Sequence, residues 1–101
     1  GVRSASLWDG LTQHNPAPVL APDGQFVIFY MGSTADNASA KVPPGGVADC
    51  GKAIGGSYSV CNQRIGIAVS PSPKGPWQRS QSPVIDVGPP GSWDDLFTAN
   101  P

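Results

Sequence analysis

An all-β fold is what the sequence predicts, and three observations carry it. Glycine (13) and proline (12) make up about a quarter of the 101 residues, a share that borders on low complexity. The apolar residues nevertheless gather in short runs, with three Trp, three Phe and two Tyr in the chain. That is the pattern of short strands joined by Gly/Pro turns, not of a disordered chain. Third, one phrase occurs twice. LWDGLTQHNP near the start and SWDDLFTANP at the end share Trp8/Trp93, Asp9/Asp94, Leu11/Leu96, Asn15/Asn100 and Pro16/Pro101 at one offset, 85 residues from Trp8 to Trp93. Self-similarity at a fixed offset marks a repeating structural unit.

The elements follow in order. Residues 19–21 read as a short extended run, and Pro22-Asp23-Gly24 as the tight turn of a hairpin. Residues 25–31, QFVIFYM, are β-branched and aromatic and too few for a typical helix. An unbroken apolar run bounded by turns predicts a strand covered on both faces. From 32 to 62 the pattern dissolves into Ser, Asn, Ala, Gly and Pro, which predicts a long surface insertion. Cys50 and Cys61 lie inside it with ten residues between them. A bridge closing so short a loop would stabilise it by about 2–3 kcal/mol in the chain-entropy model; two reduced thiols are the alternative. Asn37-Ala38-Ser39 fits the glycosylation acceptor pattern in the same segment. A cysteine pair and an acceptor site in one loop point to a secreted, extracellular protein.

Order resumes at QRIGIAVS. Ile65, Ile67 and Val69 alternate with Gly66 and Ala68, a strand with one bulky face and one shaved face. Small residues there let a neighbouring backbone or sheet approach closely. Residues 70–76 form a turn, Trp77 starts an outer strand reaching Pro83-Val84-Ile85, and DVGPPGS crosses to the second phrase.

One period therefore holds about four strands, the grammar of a β-propeller blade. The offset exceeds the usual blade of about 40–50 residues, and the insertion accounts for most of the excess. Residues 1–101 are expected to form one partial β-propeller domain: a complete four-stranded blade plus the start of the next. The second phrase stops at Pro101, the only Met is Met31, and no apolar leader opens the chain. The chain is thus expected to be a piece of a longer one that holds the remaining blades.

Charge narrows the partners. Six Lys+Arg stand against seven acidic residues, all of them Asp, with no basic run or stripe. Nucleic acid and anionic membrane are therefore excluded as expected partners. No stretch approaches the roughly 18 consecutive apolar residues of a membrane span.

HNPAP-x-LAPDGQFVIFYMG, NQRIGIAVS-x-SPKGPWQRSQSPVID and WDDLFTANP together resemble the five-bladed β-propeller glycoside hydrolases, the family-43-like group of arabinanase- and xylosidase-like enzymes. The resemblance covers nearly the whole chain except the insertion. It implies a pocket on the propeller axis in which inner strands supply an Asp base, an Asp that tunes the acid, and a Glu acid. Inversion at an anomeric carbon needs one carboxylate to activate water and another to protonate the leaving oxygen, about 6.5–9.5 Å apart. This chain departs from that pattern twice. Asn15-Pro16 and Asn100-Pro101 stand where many relatives carry Asp-Pro, and no Glu occurs at all. Asn hydrogen-bonds a hydroxyl but cannot act as a carboxylate base, so the catalytic set is not complete here.

Four residues are candidates for substrate binding: His14, Asn15, Asp95 and Asn100. His14, the only histidine, precedes an inner strand and would bind sugar hydroxyls, a water or a metal, or assist proton transfer; a loop histidine bonded to backbone is the plain alternative. Asn15 and Asn100 recur, which argues for a repeated structural duty such as capping a turn, alongside pocket lining. Asp95 replaces Gly10 of the first phrase and is a loop carboxylate near the axis. Trp8 and Trp93, with Asp9 and Asp94, read as structural anchors between sheets, Asp23 and Asp86 as turn residues, and Trp77 as packing for the outer strand. No cofactor is expected, and no residue pattern supports an axial metal ion. The functional expectation is a secreted glycoside hydrolase acting on polysaccharide or oligosaccharide; the alternative is a carbohydrate-binding or cell-surface propeller that has lost its acids.

Overall fold

A computed structural model describes residues 4, 7–10, 12–33, 63–89, 91–95 and 98–101. Cys50, Cys61, Asn37 and positions 34–62 of the expected insertion lie outside the described residues. Four strands follow one another: β1 Thr12–Leu20, β2 Phe26–Ser33, β3 Arg64–Ser70 and β4 Gln78–Arg79. They form one open sheet in the order β1-β2-β3-β4, and each neighbouring pair is antiparallel. Among the described residues there is no helix. The fold is all-β.

Each strand has a local cause. The β1–β2 turn is closed by Asp23, whose Oδ1 accepts the Gln25 N–H at 3.0 Å, with Gly24 at φ +86°. β2 and β3 pair in register from Phe26↔Ser70 to Gly32↔Arg64, so branched and aromatic side chains face one another across the ladder. β1 is longer than the sequence predicts. It begins at Thr12 and runs through HNPAP, because Asn15 and Pro16 are bulged out of register between the pairs His14↔Met31 and Ala17↔Phe29. Two residues there oppose only Tyr30, and an edge strand tolerates prolines that have no N–H to give. β4 is shorter than predicted. It ends at Arg79, and the expected extension survives as a single bridge, Ile65↔Ile85. β2 also differs: residues 26–29 are only half-buried, and cover on both faces is limited to residues 30–33, with Gly32 and Ser33 belonging to the strand and not to an insertion.

Alternation divides the sheet into two faces. Ile28, Tyr30, Gly32, Gly66 and Ala68 share one face; Val27, Phe29, Met31, Ile65, Ile67 and Val69 share the other. The first face is covered by the turn at 7–10. Trp8 stacks on Tyr30 with ring centroids 5.7 Å apart and planes at 26°, and these two with Ala68 make the core. The shaved positions are what admit that turn. A Cβ at Gly66 would stand 2.5 Å from the Trp8 ring, and one at Gly32 would stand 2.5 Å from Asp9 Cβ. Neither distance is tolerable, so the glycines are notches cut for Trp8 and Asp9.

Candidate functional site

Asp9 carries the first polar cluster. Its carboxylate is fully buried, where an unpaired charge would be costly. The Tyr30 hydroxyl donates to Oδ2 at 2.8 Å, and Arg79 Nη1 lies 3.7 Å from the same oxygen. Arg79 crosses the face with its guanidinium 5.5 Å from the Tyr30 ring centroid and donates to Gln13 Oε1 at 2.7 Å. Gln13 in turn donates through Nε2 to the Asp9 carbonyl at 2.8 Å. Beside this network lies a cleft of about 340 Å³ whose walls include the predicted site residue His14 with Pro16, Ile28, Ala68, Trp77 and Arg79.

The second cluster lies on the opposite face and joins the two phrases. Gln63 is buried to 1% exposure, and its Nε2 sits 2.7 Å from His14 Nε2. An amide NH₂ only donates, so the ring accepts at Nε2 and holds its proton on Nδ1. The carbonyl of the same Gln63 accepts the Thr98 N–H at 2.9 Å. Met31, the cross-strand partner of His14, receives the Asn100 N–H on Sδ at 3.3 Å. The first phrase thus reaches Gln63 through His14, and the second reaches it through Thr98.

His14 thus contacts Gln63 through its ring, and Asn100 contacts Met31 through its backbone N–H; the two line different clefts. Asn15 adjoins His14 in the bulge. Asn15 and Asn100 share a backbone state, with φ +50° and +55°. Asn is among the few residues that adopt this left-handed region readily, so what recurs is a backbone conformation. Asp95 is not joined to them by these contacts. Its carboxylate turns back to accept the Gly91 N–H at 2.5 Å, closing its own turn. Asp94, not Asp95, shares a cleft with Asn100, together with Ile65, Trp93 and Thr98.

The other described aspartates are also engaged. Asp86 Oδ1 accepts from Arg64 Nε at 2.7 Å, and Arg64 is almost wholly buried. Asp94 Oδ1 accepts the Ser92 hydroxyl at 2.8 Å. Among the described residues, no three His, Cys, Asp or Glu side chains gather in a way that could hold a metal ion, and no helix is long and apolar enough to cross a membrane.

Gln63 was not singled out by the sequence reading. Its one signal is position: it stands one residue before β3, on the row of Ile65, and so faces Met31 and His14. Gln13, Tyr30 and Arg79 were missed because polar residues on a short strand carry no mark of what they face. No family model, no curated protein and no solved structure matches this chain.

Proposed function

We propose that the chain is one blade, with the opening phrase of the next, of a β-propeller that acts on carbohydrate as a secreted glycoside hydrolase. One observation supports the reading: the two copies of the phrase converge on the neighbouring residues Gln63 and Met31, the first through His14 and the second through Thr98 and the Asn100 N–H. Convergence of successive blade entries is what an axial pocket requires, and the shared left-handed state of Asn15 and Asn100 supports their equivalence. In this reading His14 offers its Nδ1–H, and the two Asn side chains offer amide donors and acceptors, to sugar hydroxyls. In this reading the acid and base come from other blades, since the chain holds no Glu and has Asn at both phrase positions, while each of the five described aspartates accepts a hydrogen bond within the sheet or its turns.

That last fact, with Asn in both phrase positions, favours a second reading: a propeller that binds carbohydrate without cleaving it. The test is a panel of polysaccharides offered to the full-length protein, read by reducing-end release and by calorimetric binding. Hydrolysis that falls at least about 10-fold in kcat/KM on His14→Ala, or about 1.4 kcal/mol of transition-state stabilisation, is the expected result. Binding without release of reducing ends would establish the second reading. Neither binding nor release would remove carbohydrate from the account.

A further inference from the structure

The bulge that takes Asn15 and Pro16 out of the ladder comes directly after His14, and a bulge re-aims the side chains beside it. His14 is half-buried, and its ring meets the Gln63 amide, Nε2 to Nε2, at 2.7 Å. Gln63 is held on several sides. It is 1% exposed, and its carbonyl accepts the Thr98 N–H at 2.9 Å. The next residue, Arg64, opens β3 opposite Gly32 and donates to Asp86 at 2.7 Å. A side-chain amide buried this deeply loses a hydrogen bond that water does not replace if it swings away from the ring. The amide is therefore the fixed partner, and the imidazole adapts to it.

From this we propose that Gln63 is a positioning residue: its amide occupies the Nε2 lone pair of His14, fixes the neutral Nδ1–H tautomer, and makes the ring a hydrogen-bond donor only. A neutral imidazole has one acceptor nitrogen and one donor nitrogen. With the acceptor engaged by Gln63, His14 has no lone pair with which to take a proton from an attacking water. It is a binding residue and not a general base. The ligand atom that His14 meets is accordingly an acceptor oxygen, which on a sugar is the ring oxygen, a glycosidic oxygen, a carboxylate or the lone pair of a hydroxyl. Arg79, which lines the same cleft as His14, is also a donor without acceptor capacity. Because Thr98 grips the Gln63 carbonyl, the second phrase helps to hold the residue that sets the polarity of the first. The inference deepens the preceding reading and rests on it only for carbohydrate as the source of the acceptor; the tautomer requires no ligand.

The test is nitrogen NMR of protein labelled with ¹⁵N in histidine and glutamine, at a pH of about 8, above the ordinary imidazole range, with no ligand added. The signals lost in His14→Phe identify the residue. In wild type, Nδ1 should resonate at the protonated position and Nε2 at the unprotonated one, with a scalar coupling across the hydrogen bond from Gln63 Nε2 to His14 Nε2. In Gln63→Glu, whose carboxylate only accepts, His14 Nε2 should shift to the protonated position and the coupling should vanish. Wild type with the proton on Nε2, with both nitrogens protonated, or with averaged tautomers and no coupling overturns the proposal. So does Gln63→Glu that keeps the wild-type strand spectrum and still leaves Nε2 unprotonated. The wild-type spectrum needs no substitution at Gln63, so a variant that fails to fold does not shield the proposal. No carbohydrate enters the measurement, so its failure and the failure of the hydrolase reading are separate results.

Discussion

Trp8 and Trp93 open the same phrase, yet one is 6% exposed and the other 96%. Their sequence neighbours agree in Asp, Leu, Asn and Pro, and the two Asn agree in backbone conformation. What differs is the surface beneath them. Trp8 lies over a strand shaved to glycine at position 66 and against the Tyr30 ring; among the described residues no glycine is notched for Trp93. The phrase therefore does not bury its own tryptophan. Burial is decided by the sheet that follows it, through glycines 20 and more residues further along. The same holds for the acids: Asp9 is sealed by the Tyr30 hydroxyl, whereas Asp94 accepts the hydroxyl of Ser92 in its own turn.

The contrast breaks most readily at the tryptophans themselves. Trp8→Ala should lower unfolding free energy by about 3–5 kcal/mol, the usual cost of emptying a buried aromatic site, while Trp93→Ala in the monomer should stay within about 0.5 kcal/mol. Urea denaturation of both variants measures the difference directly, and equal effects would show that the two phrases are not in unlike surroundings. A smaller change sharpens the cause. Gly66→Ala pushes one methyl group against the Trp8 ring and should cost about 1–3 kcal/mol by overpacking. Combined with Trp8→Ala, the same methyl should cost less, because the Trp8 ring it meets at 2.5 Å is gone and only the Tyr30 ring at 2.9 Å remains. Additive losses would mean that the Tyr30 ring, and not Trp8, is what requires Gly66.

The parts legible in the sequence are those whose side chains declare a period. β3 is legible from Ile65, Ile67 and Val69, which alternate with the pleat, and β2 from an unbroken apolar run bounded by turns. The start of β1 is not. His14-Asn15-Pro16 reads as a break, since proline lacks a donor and the residue before it is conformationally restricted. The strand continues only because a bulge takes Asn15 and Pro16 out of the ladder. In the candidate site, His14 and the paired Asn15 and Asn100 could be picked out by scarcity and by repetition. Gln63 could not, because what makes it matter is the closure of the second phrase onto the first, a contact spanning 35 residues from Gln63 to Thr98. Asp95 looks distinctive beside Gly10, and what the sequence does not show is that its Oδ2 accepts the N–H of Gly91 four residues back.

The most direct measurement of the central claim is hydrogen exchange of the indole N–H groups, followed by NMR at a concentration where the chain is monomeric. Trp8 is sealed in the core with its Nε1–H directed at the Ser80 carbonyl, 3.5 Å away. Its proton should exchange orders of magnitude more slowly than that of Trp93, which should match a free peptide. Equal exchange at both indoles would contradict the account, because it would mean that the first phrase is no better seated on the sheet than the second.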